Sequence, residues 1–507
     1  MKKVGAGLSF LMGAALAACA VGPNYRTPHT AVPDSFIATA PATASAAAPA
    51  IDVAAWWRAL NDPQLDSLIE RAIRANPDIE IALTRLQEAR TAQAGLASAL
   101  LPEAGAGAGA AHGTGSDLTR GRAPEALVAA DNTAGVGNIQ QLVGFDAGWE
   151  IDLFGKYRRE IEEAKYDARA ALWARNAVLI SVVADMARAY VDMRGLQMRL
   201  AVTRQDVATA AQFRDLVHAR YERGLTNELD VTLADRELAT LQSEVAPLVS
   251  DINALQYEIA ALLGEYPEAL AAELAKPGLI PAVPAQVAPG LPLELLKRRP
   301  DVQQAEQQLA AATARIGVAT ADLFPRLAIT AGVGAENSKL GTAGISNHIW
   351  SVGPSLYWPL LDFGALDAAV NIADLQAHER LMTYRRTIID AVRDADTAIG
   401  NFSAQQERLK DLEVAMVASE RAVSLASQRY DRGLTDFLNV VDAERQQYEL
   451  ENEYAATQQS AAEAFVALYR ALGGGWQQYQ DVPPIRRPLP AVIAIFRHVA
   501  ANDEPEK

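Results

Sequence analysis

The chain has 507 residues, of which half are hydrophobic and only 6% are aromatic, and its formal net charge is −16. The negative charge argues against nucleic acid as a partner, because a duplex binder needs a basic face to displace counterions. Few aromatic residues and many alanines favour long packed helices over a β-sandwich. No stretch reaches the ~18 to 20 consecutive apolar residues of a transmembrane helix.

The N-terminus has the pattern of a secretory signal peptide over residues 1–18. Lys2 and Lys3 begin it, and a short run of small apolar residues follows, as in signal peptides rather than membrane spans. The run ends in Leu-Ala-Ala before Cys19, the only cysteine, so no disulfide can form within the chain. LAAC resembles the bacterial lipobox, which implies that Cys19 becomes the lipidated first residue of the mature protein. The alternative is a signal peptide with an incidental cysteine. Ala20 after it resembles the outer-membrane sorting pattern.

The chain is a tandem duplication, which several landmarks show. RYERGLTNELDV at 220–231 recurs as RYDRGLTDFLNV at 429–440, an offset of 209 residues, and Trp149 and Trp358 keep that offset. Two earlier pairs have an offset of 223 residues: NPD at 76–78 with RPD at 299–301, and Leu-Pro at 101–102 with Phe-Pro at 324–325. The first copy therefore contains a longer insertion between residues 102 and 149.

Two strand-like runs are predicted in each copy: 103–113 and 138–152 in the first, and 326–336 and 349–359 in the second. In three of them apolar and polar residues alternate and aromatic residues lie near an end, which is typical of transmembrane β-strands. The run from Glu103 is nearly all Ala and Gly, so alternation does not assign its faces. Ordinary hairpins on a soluble domain are the alternative.

Four strands per chain cannot close a barrel, and an open sheet edge in lipid leaves unpaired backbone groups that cost several kcal/mol each. If the strands span a membrane, the chain must therefore share a barrel with other copies. Two copies would give eight strands and a barrel filled by its own side chains, whereas three would give twelve and leave a lumen. We favour the trimer, with the loops at 113–138 and 337–347 outside.

Very long helices follow the strands. Residues 155–223 and 364–432 contain no proline, and each tract would extend about 100 Å as a helix. Each continues through a glycine turn into a returning helix with apolar residues spaced alternately by three and four, as in a coiled coil. The first seam is Val231, Ala234, Leu238, Leu241, Val245, Leu248, Ile252, Leu255, Ile259 and Leu262. A solitary structural coiled coil would show the same spacing.

The sequence lacks recognisable motifs for catalysis, metal binding and nucleotide binding. The six histidines are scattered without HExxH or paired ligand spacing, and no Walker sequence is present. We therefore expect no enzyme activity, no metal site and no cofactor besides the covalent lipid on Cys19.

Residues 291–327, which begin LPLELLKRRPDV, resemble the signature of the outer-membrane efflux duct family, the TolC-like and OprM-like channels. VGPNYRTP after Cys19 and WWRALNDPQLDSLIERAIRANPD at 56–78 resemble its lipoprotein, NodT-type branch. The resemblance implies a mainly α fold with a membrane β-part. In this fold a trimer forms a twelve-stranded β-barrel, continuous with a periplasmic α-helical barrel, and an equatorial domain surrounds it. The predicted segments are a signal peptide (1–18), a lipidated equatorial segment (19–62), repeat 1 (63–264), an equatorial linker (265–291), repeat 2 (292–472) and a C-terminal equatorial tail (473–507).

In that family the helix-turn tips dock a periplasmic adaptor and narrow the closed channel. The matching tip residues, within 223–227 and 432–436, are Arg223, Gly224, Leu225, Thr226, Arg432, Gly433, Leu434 and Thr435. Asp230 and Tyr430 match positions that hydrogen-bond between tip helices in the closed state. Asp442 matches one of two acidic rings at the constriction, and three copies of it around an axis would attract cations. Asn439 takes the other ring position in place of Asp, and Thr435 replaces an Arg, which suggests a weaker lock.

The implied function is the outer-membrane exit duct of a tripartite pump that passes drugs and other small toxic molecules. Its partners would be the other chains of a homotrimer, outer-membrane lipid, a periplasmic adaptor and an inner-membrane transporter, which by that resemblance is of the proton-driven RND type. An exit duct for type I protein secretion or metal efflux is the alternative within the family. A structural or adhesive outer-membrane coiled-coil lipoprotein is the alternative outside it.

Overall fold

The structure is a computed structural model that describes residues 20–30, 32–37, 51–112, 139–285, 287, 292–340 and 343–480. These ranges contain the helices and strands of both repeats and most of the linker between them. The predicted signal peptide, Cys19, the loop 113–138 and most of the C-terminal tail lie outside the described residues.

The elements of repeat 1 follow the order helix, hairpin, long helix, returning helix. A 3₁₀ turn at Val53–Leu60 precedes them, and the elements are α1 (Pro63–Ala75), α2 (Pro77–Ala97), β1 (Glu103–His112), β2 (Ile139–Ile151), α3 (Lys156–Glu222) and α4 (Glu228–Leu262). The linker contains a 3₁₀ turn at Pro267–Ala269 and the short α5 (Ala271–Leu274).

Repeat 2 has the same order of elements. Its elements are α6 (Pro292–Arg298), α7 (Pro300–Ala321), β3 (Arg326–Leu340), β4 (Ala343–Tyr357), α8 (Ala365–Asp431) and α9 (Phe437–Ala471), followed by a 3₁₀ turn at Gln477–Tyr479. The long helices α3 and α8 have 67 residues each, and the returning helices α4 and α9 have 35 each. A helix of 67 residues is about 100 Å long.

The strands of repeat 2 are longer at their loop ends than the sequence pattern predicts. β3 continues past Glu336 to Leu340, and β4 begins at Ala343 rather than at Ile349. The predicted loop 337–347 is therefore wrong over most of its length. The antiparallel pairing of β3 with β4 continues through Asn337 and Ser346, although the alternation of apolar residues has already ended there. At the other end β4 stops at Tyr357, before Trp358.

The two repeats correspond in the register of their hairpins as well as in the lengths of their long and returning helices. Glu103 lies opposite Gly148 in the first hairpin, and Arg326 lies opposite Tyr357 in the second. Trp149 Nε1 donates to the carbonyl of Leu100 at 3.1 Å, and Trp358 Nε1 donates to the carbonyl of Leu323 at 3.1 Å. These matching contacts confirm the offsets of 223 and 209 residues at the base of the strands.

The four strands form one antiparallel sheet in the order β1-β2-β3-β4. Its register places Phe145, Val333 and Trp350 in one cross-strand row, with exposed fractions of 65%, 57% and 73%. The row beside it on the opposite face holds Gly105, Asp146, Gly332 and Ser351. One face is thus apolar and exposed, and the other is polar or lined by glycine. The register also assigns β1: its alanines 104, 106 and 108 share the apolar face, because side chains alternate along a strand.

The helices pack through the predicted seam. Among the seam residues of α4, Ala234, Leu238, Leu241, Leu248, Ile252 and Ile259 are buried, and the other four are half-buried. Trp56 from the N-terminal segment is 1% exposed and stacks on Tyr469 of α9, with ring centroids 5.7 Å apart. An apolar stretch within α3 is long enough to cross a membrane by composition alone, but 56% of it is buried inside the chain. It belongs to the helical core.

The most specific residues of the sequence signature have a structural role. Arg299, in the RRPD segment, donates from Nη1 to the carbonyl of Ala471 at 3.1 Å and from Nη2 to Asp301 at 2.6 Å. Its Nη2 also lies 3.5 Å from Asp394 of α8. One guanidinium therefore joins the start of α7, the end of α9 and the middle of α8, so the signature marks a helix junction.

Carboxyl groups are buried where α3 packs on α9. Gln459 Nε2 donates to Asp192 at 3.0 Å and to Glu463 at 2.8 Å. Gly195 allows this approach, since a Cβ there would lie 2.3 Å from Gln459 Oε1. Burial first, and then the hydrogen bond and charge of Glu463, raise the pKa of Asp192 to about 7. At pH values between the ordinary pKa of an aspartate and about 7, the folded chain therefore holds a proton on this pair, whereas an unfolded chain has lost it.

We expect stability to fall as the pH rises from about 4 to about 7, because over this interval the folded state binds the proton at Asp192 and the unfolded state does not. Asp192→Asn replaces the proton with an amide that can donate to Glu463. The variant should lose part of the pH dependence and melt a few degrees higher than the parent at pH 8, a gain on the order of 1 kcal/mol. Thermal unfolding in detergent at pH 5 and pH 8 measures this.

Asp215→Asn is the matched control, since Asp215 lies on the same helix with a side chain that is 70% exposed. It should leave the pH dependence unchanged. Equal pH dependence in Asp192→Asn and in the parent would show that this pair does not carry the proton.

Candidate functional site: the helix-turn tips

The two turns at the far end of the long helices have the same backbone geometry. In the first, Gly224 has φ of +73°, its N–H bonds to the carbonyl of Tyr221 at 2.8 Å, and the N–H of Leu225 bonds to the carbonyl of Arg220 at 2.9 Å. In the second, Gly433 has φ of +69°. This pair of bonds is the Schellman motif, which ends a helix in the left-handed conformation that glycine adopts without strain. No atom lies within 4 Å of a Cβ at either glycine, so backbone conformation alone requires them.

The predicted gate residues Asp230 and Asn439 occupy equivalent positions of the two repeats, 209 residues apart. Each bonds to a threonine of its own turn. Thr226 Oγ1 donates to the Asp230 carboxylate, and Asn439 Nδ2 donates to Thr435 Oγ1 at 2.9 Å. Asn227 also caps α4 by accepting from the N–H of Asp230 at 3.0 Å. These bonds lie within one turn, so they hold each tip in shape. Hydrogen bonding of Asp230 between tips stays a prediction.

Tyr430 lies in an apolar cluster that joins the two tips. It is 5% exposed, and its ring centroid is 5.4 Å from that of Phe437. Val217 of the first hairpin is fully buried in the same cluster. The guanidinium carbon of Arg220, also from the first hairpin, lies 4.4 Å from the centroid of the Tyr430 ring. A cation over an aromatic face contributes about 0.5 to 2 kcal/mol.

The sequence pattern did not identify three residues that contact or pack with Tyr430: Phe437, Val217 and Arg220. The repeat itself contains a sequence signal for one of them, Phe437. Tyr221, the counterpart of Tyr430, is 43% exposed, and the counterpart of Phe437 is the charged Glu228. The second tip therefore supplies the two buried aromatic residues of the cluster, Tyr430 and Phe437, and they pack against the first tip.

The outer surface of the tips carries exposed leucines beside charged residues of both signs. Leu225 and Leu434 are 65% and 63% exposed, and their neighbours Leu229 and Leu438 are 64% and 57% exposed. We call these four leucines the tip surface. Arg223 and Arg432 are also exposed. Within the described residues the tip surface has no packing partner, and its role in docking stays a prediction.

Asp442 lies on the wall of a groove between α8 and α9. Its side chain is 52% exposed, accepts from Arg445 at 3.0 Å, and accepts from Gln446 at 2.8 Å. The groove is lined by Ser419, Ala422, Asn439, Asp442, Ala443, Gln446, Glu449, Leu450 and Glu453. An ion pair with Arg445 partly compensates the charge expected to attract cations at this position. In the described part of the chain no group of three or more His, Cys, Asp or Glu is arranged to hold a metal ion.

We expect Tyr430→Ala to loosen the tips, because truncating a buried aromatic residue costs about 3 to 5 kcal/mol of packing. Amide hydrogen exchange at residues 217–231 and 430–441 should accelerate at least 100-fold. Tyr221→Ala is the matched control at the equivalent exposed position and should leave the exchange rates unchanged. Equal effects of the two substitutions would contradict a cross-tip cluster centred on Tyr430.

Comparison with known proteins covers most of the chain. A sequence profile described as outer membrane efflux protein matches residues 68–265 and 291–474. Nodulation protein T of Rhizobium leguminosarum bv. viciae is 29% identical, with 91% of this chain and 92% of that protein covered. The pyoverdine export outer membrane protein OpmQ of Pseudomonas aeruginosa is 28% identical, with 84% and 89% covered. The solved structure of the outer-membrane channel OprN is 34% identical, covers 90% of this chain and 100% of that one, and gives a TM-score of 0.79.

Proposed function

Because the chain belongs to the outer membrane efflux protein family, and is thus an outer-membrane protein with a large helical periplasmic part, we propose that it is the trimeric exit duct of a tripartite efflux pump. It is acylated at Cys19, its tips receive a periplasmic adaptor, and a proton-driven transporter of the RND type supplies the substrate. The substrates are small organic molecules. The relative named for pyoverdine export supports that substrate class.

The observation that carries the proposal is the unclosed sheet. Strands β1 and β4 are its edges, and its apolar face is exposed at Phe145, Val333 and Trp350. A sheet in lipid must have every backbone group paired. Copies of the chain can pair β4 of one with β1 of the next and so remove both edges.

The duplication predicts how those edges pair. Within one chain Ala147 of β2 lies opposite Ala331 of β3. The repeat offsets carry these two positions to Leu356 of β4 and Ala108 of β1. Both of these residues already lie on the apolar face of their own hairpins. The same register between chains therefore continues the apolar face around the barrel, whereas a shift by one residue would reverse it.

We expect a disulfide between neighbouring chains when Leu356→Cys and Ala108→Cys are combined, because directly opposed residues have Cβ atoms about 4.5 to 5.5 Å apart. After mild oxidation in membranes, non-reducing electrophoresis should show a covalent ladder that ends at three chains. Leu356→Cys with Gly107→Cys is the matched control, since residue 107 points to the other face and should crosslink at least tenfold less. A ladder that ends at two or four chains would contradict the trimer.

Export itself is tested in cells. Deleting the gene should raise susceptibility to several unrelated small organic compounds and increase ethidium accumulation, because the pump loses its exit. The intact gene should restore both. A deletion that changes only the export of one protein, or only resistance to metal ions, would favour the alternative ducts for type I secretion or metal efflux. Purified protein that never conducts ions in a planar bilayer would favour a structural lipoprotein.

A further inference from the structure

The first described residues of the chain are bound against the junction between β2 and α3. The N–H of Val21 donates to the carbonyl of Phe154 at 3.0 Å. Ala20 approaches Gly155 so closely that a Cβ on Gly155 would lie 2.7 Å from the Ala20 Cα. Gly22 packs on α7 in the same way, since its Cβ would lie 2.4 Å from the Cα of Gly317. We call residues 20–24 the N-terminal strap.

Arg159 holds the strap. Its side chain is 4% exposed, and its Nε donates to the carbonyl of Val21 at 3.0 Å. Its Nη2 donates to the carbonyl of Gly22 at 3.2 Å and to Asn24 Oδ1 at 2.8 Å, while Nη1 pairs with Glu162 at 2.6 Å. A buried guanidinium is stable only when its charge is paired and its donors are satisfied. Three of these hydrogen bonds join Arg159 to the strap. Removing the strap would leave donors of the buried guanidinium unpaired, and removing Arg159 would leave acceptors of the strap unpaired.

The described part of repeat 2 does not contain this site. Gly364, the counterpart of Gly155, has φ of +89° but nothing within 4 Å of a Cβ. The counterpart of Arg159 is Ala368. Phe363, the counterpart of Phe154, is 98% exposed. The backbone junction is therefore the same in both repeats, and only the first carries the residues that bind a strap.

The strap lies just below the membrane-facing part of the sheet. Phe154 follows Ile151, the last residue of β2, by three positions, which span at most about 11 Å. Polar ion pairs begin at this level, with Lys156 at 2.9 Å from Asp322 and Arg158 at 3.1 Å from Asp152. This change from apolar side chains to ion pairs is what the water boundary of a bilayer requires.

We propose that Arg159 positions the lipid anchor of this chain. By fixing residues 20–24, it holds the residue that follows Cys19 against the junction between β2 and α3, so that acyl chains on Cys19 would enter the bilayer beside the sheet that must insert. The inference rests on the proposed acylation of Cys19. If the strap were released, the next side-chain attachment would be Tyr25 and Thr27 on Glu306. The tether would then be longer by at least five residues, or about 17 Å, and the sheet would be held less closely to the membrane.

The test compares Arg159→Ala in the acylated chain and in a Cys19→Ser chain exported with an ordinary signal peptide. Conversion of newly made chains to membrane-inserted trimers is followed by pulse-chase. In the acylated chain Arg159→Ala should slow conversion about tenfold, because the anchor no longer lies beside the sheet. In the Cys19→Ser chain it should add no further slowing. Equal slowing in both chains would show that Arg159 only stabilises the fold and would overturn the proposal.

A second pair of variants covers the case in which Arg159→Ala does not fold. Gly155→Ala and Gly364→Ala impose the same backbone strain, since φ is +83° and +89°, but only Gly155→Ala collides with the strap. Gly155→Ala should slow insertion of the acylated chain, and Gly364→Ala should slow it several-fold less. Equal rates would overturn the positioning role. Labelling with palmitate separates the two proposals: an unlabelled parent chain overturns the acylation, and a labelled parent with unaffected variants overturns only the role of Arg159.

Discussion

The rest of the structure depends on how the unpaired backbone groups at the two edges of the sheet are paired. Within the described residues β1 and β4 each have one edge without a partner, and an apolar face lies between them. In lipid such edges cost several kcal/mol per group, whereas in a closed barrel they cost nothing. The strands pass into the long helices at Gly155 and Gly364, so every strand pair that joins a barrel adds a helical hairpin below it. In the proposed assembly the number of copies in the barrel would therefore determine the width of the helical tube.

Because the chain is a duplication, each position of one repeat can be compared with its counterpart in the other, and the differences can be interpreted. The repeats agree in the lengths of the long and returning helices, in hairpin register and in the tryptophan bonds at the strand bases, all of which are requirements of the architecture. They differ where one copy carries a task alone. Tyr430 is buried and Tyr221 is exposed; Arg159 binds the strap and Ala368 cannot. In the proposed trimer each such difference would occur three times around the axis.

Much of the fold was accessible from the sequence because its signals are periodic. Alternation by two identifies β2 and the cores of β3 and β4, and spacing by three and four identifies the face of α4 that is buried. Periodic patterns cease to be informative where residues are uniform or where pairing alone extends an element. The alanines and glycines of β1 have no alternation to interpret, and the outer ends of β3 and β4 are held by backbone bonds between residues of mixed polarity. The positions in the tips were likewise found from a motif, but the motif begins after Val217 and does not show that Phe437 is buried.

The sequence by itself determined the duplication, the four strands, the long hairpins and the glycine turns, because each depends on local backbone preference or on a period along one element. Only the tertiary structure decided which face β1 presents, what Arg299 joins, and how the tips pack. These depend on residues far apart in the chain: the register between β1 and β2, the meeting of three helices at Arg299, and the burial of Tyr430 against Val217. Arg159 is the clearest case. Its sequence neighbours make it another charged residue of a long helix, and only the return of residues 20–24 to the strand–helix junction makes it a buried binding group.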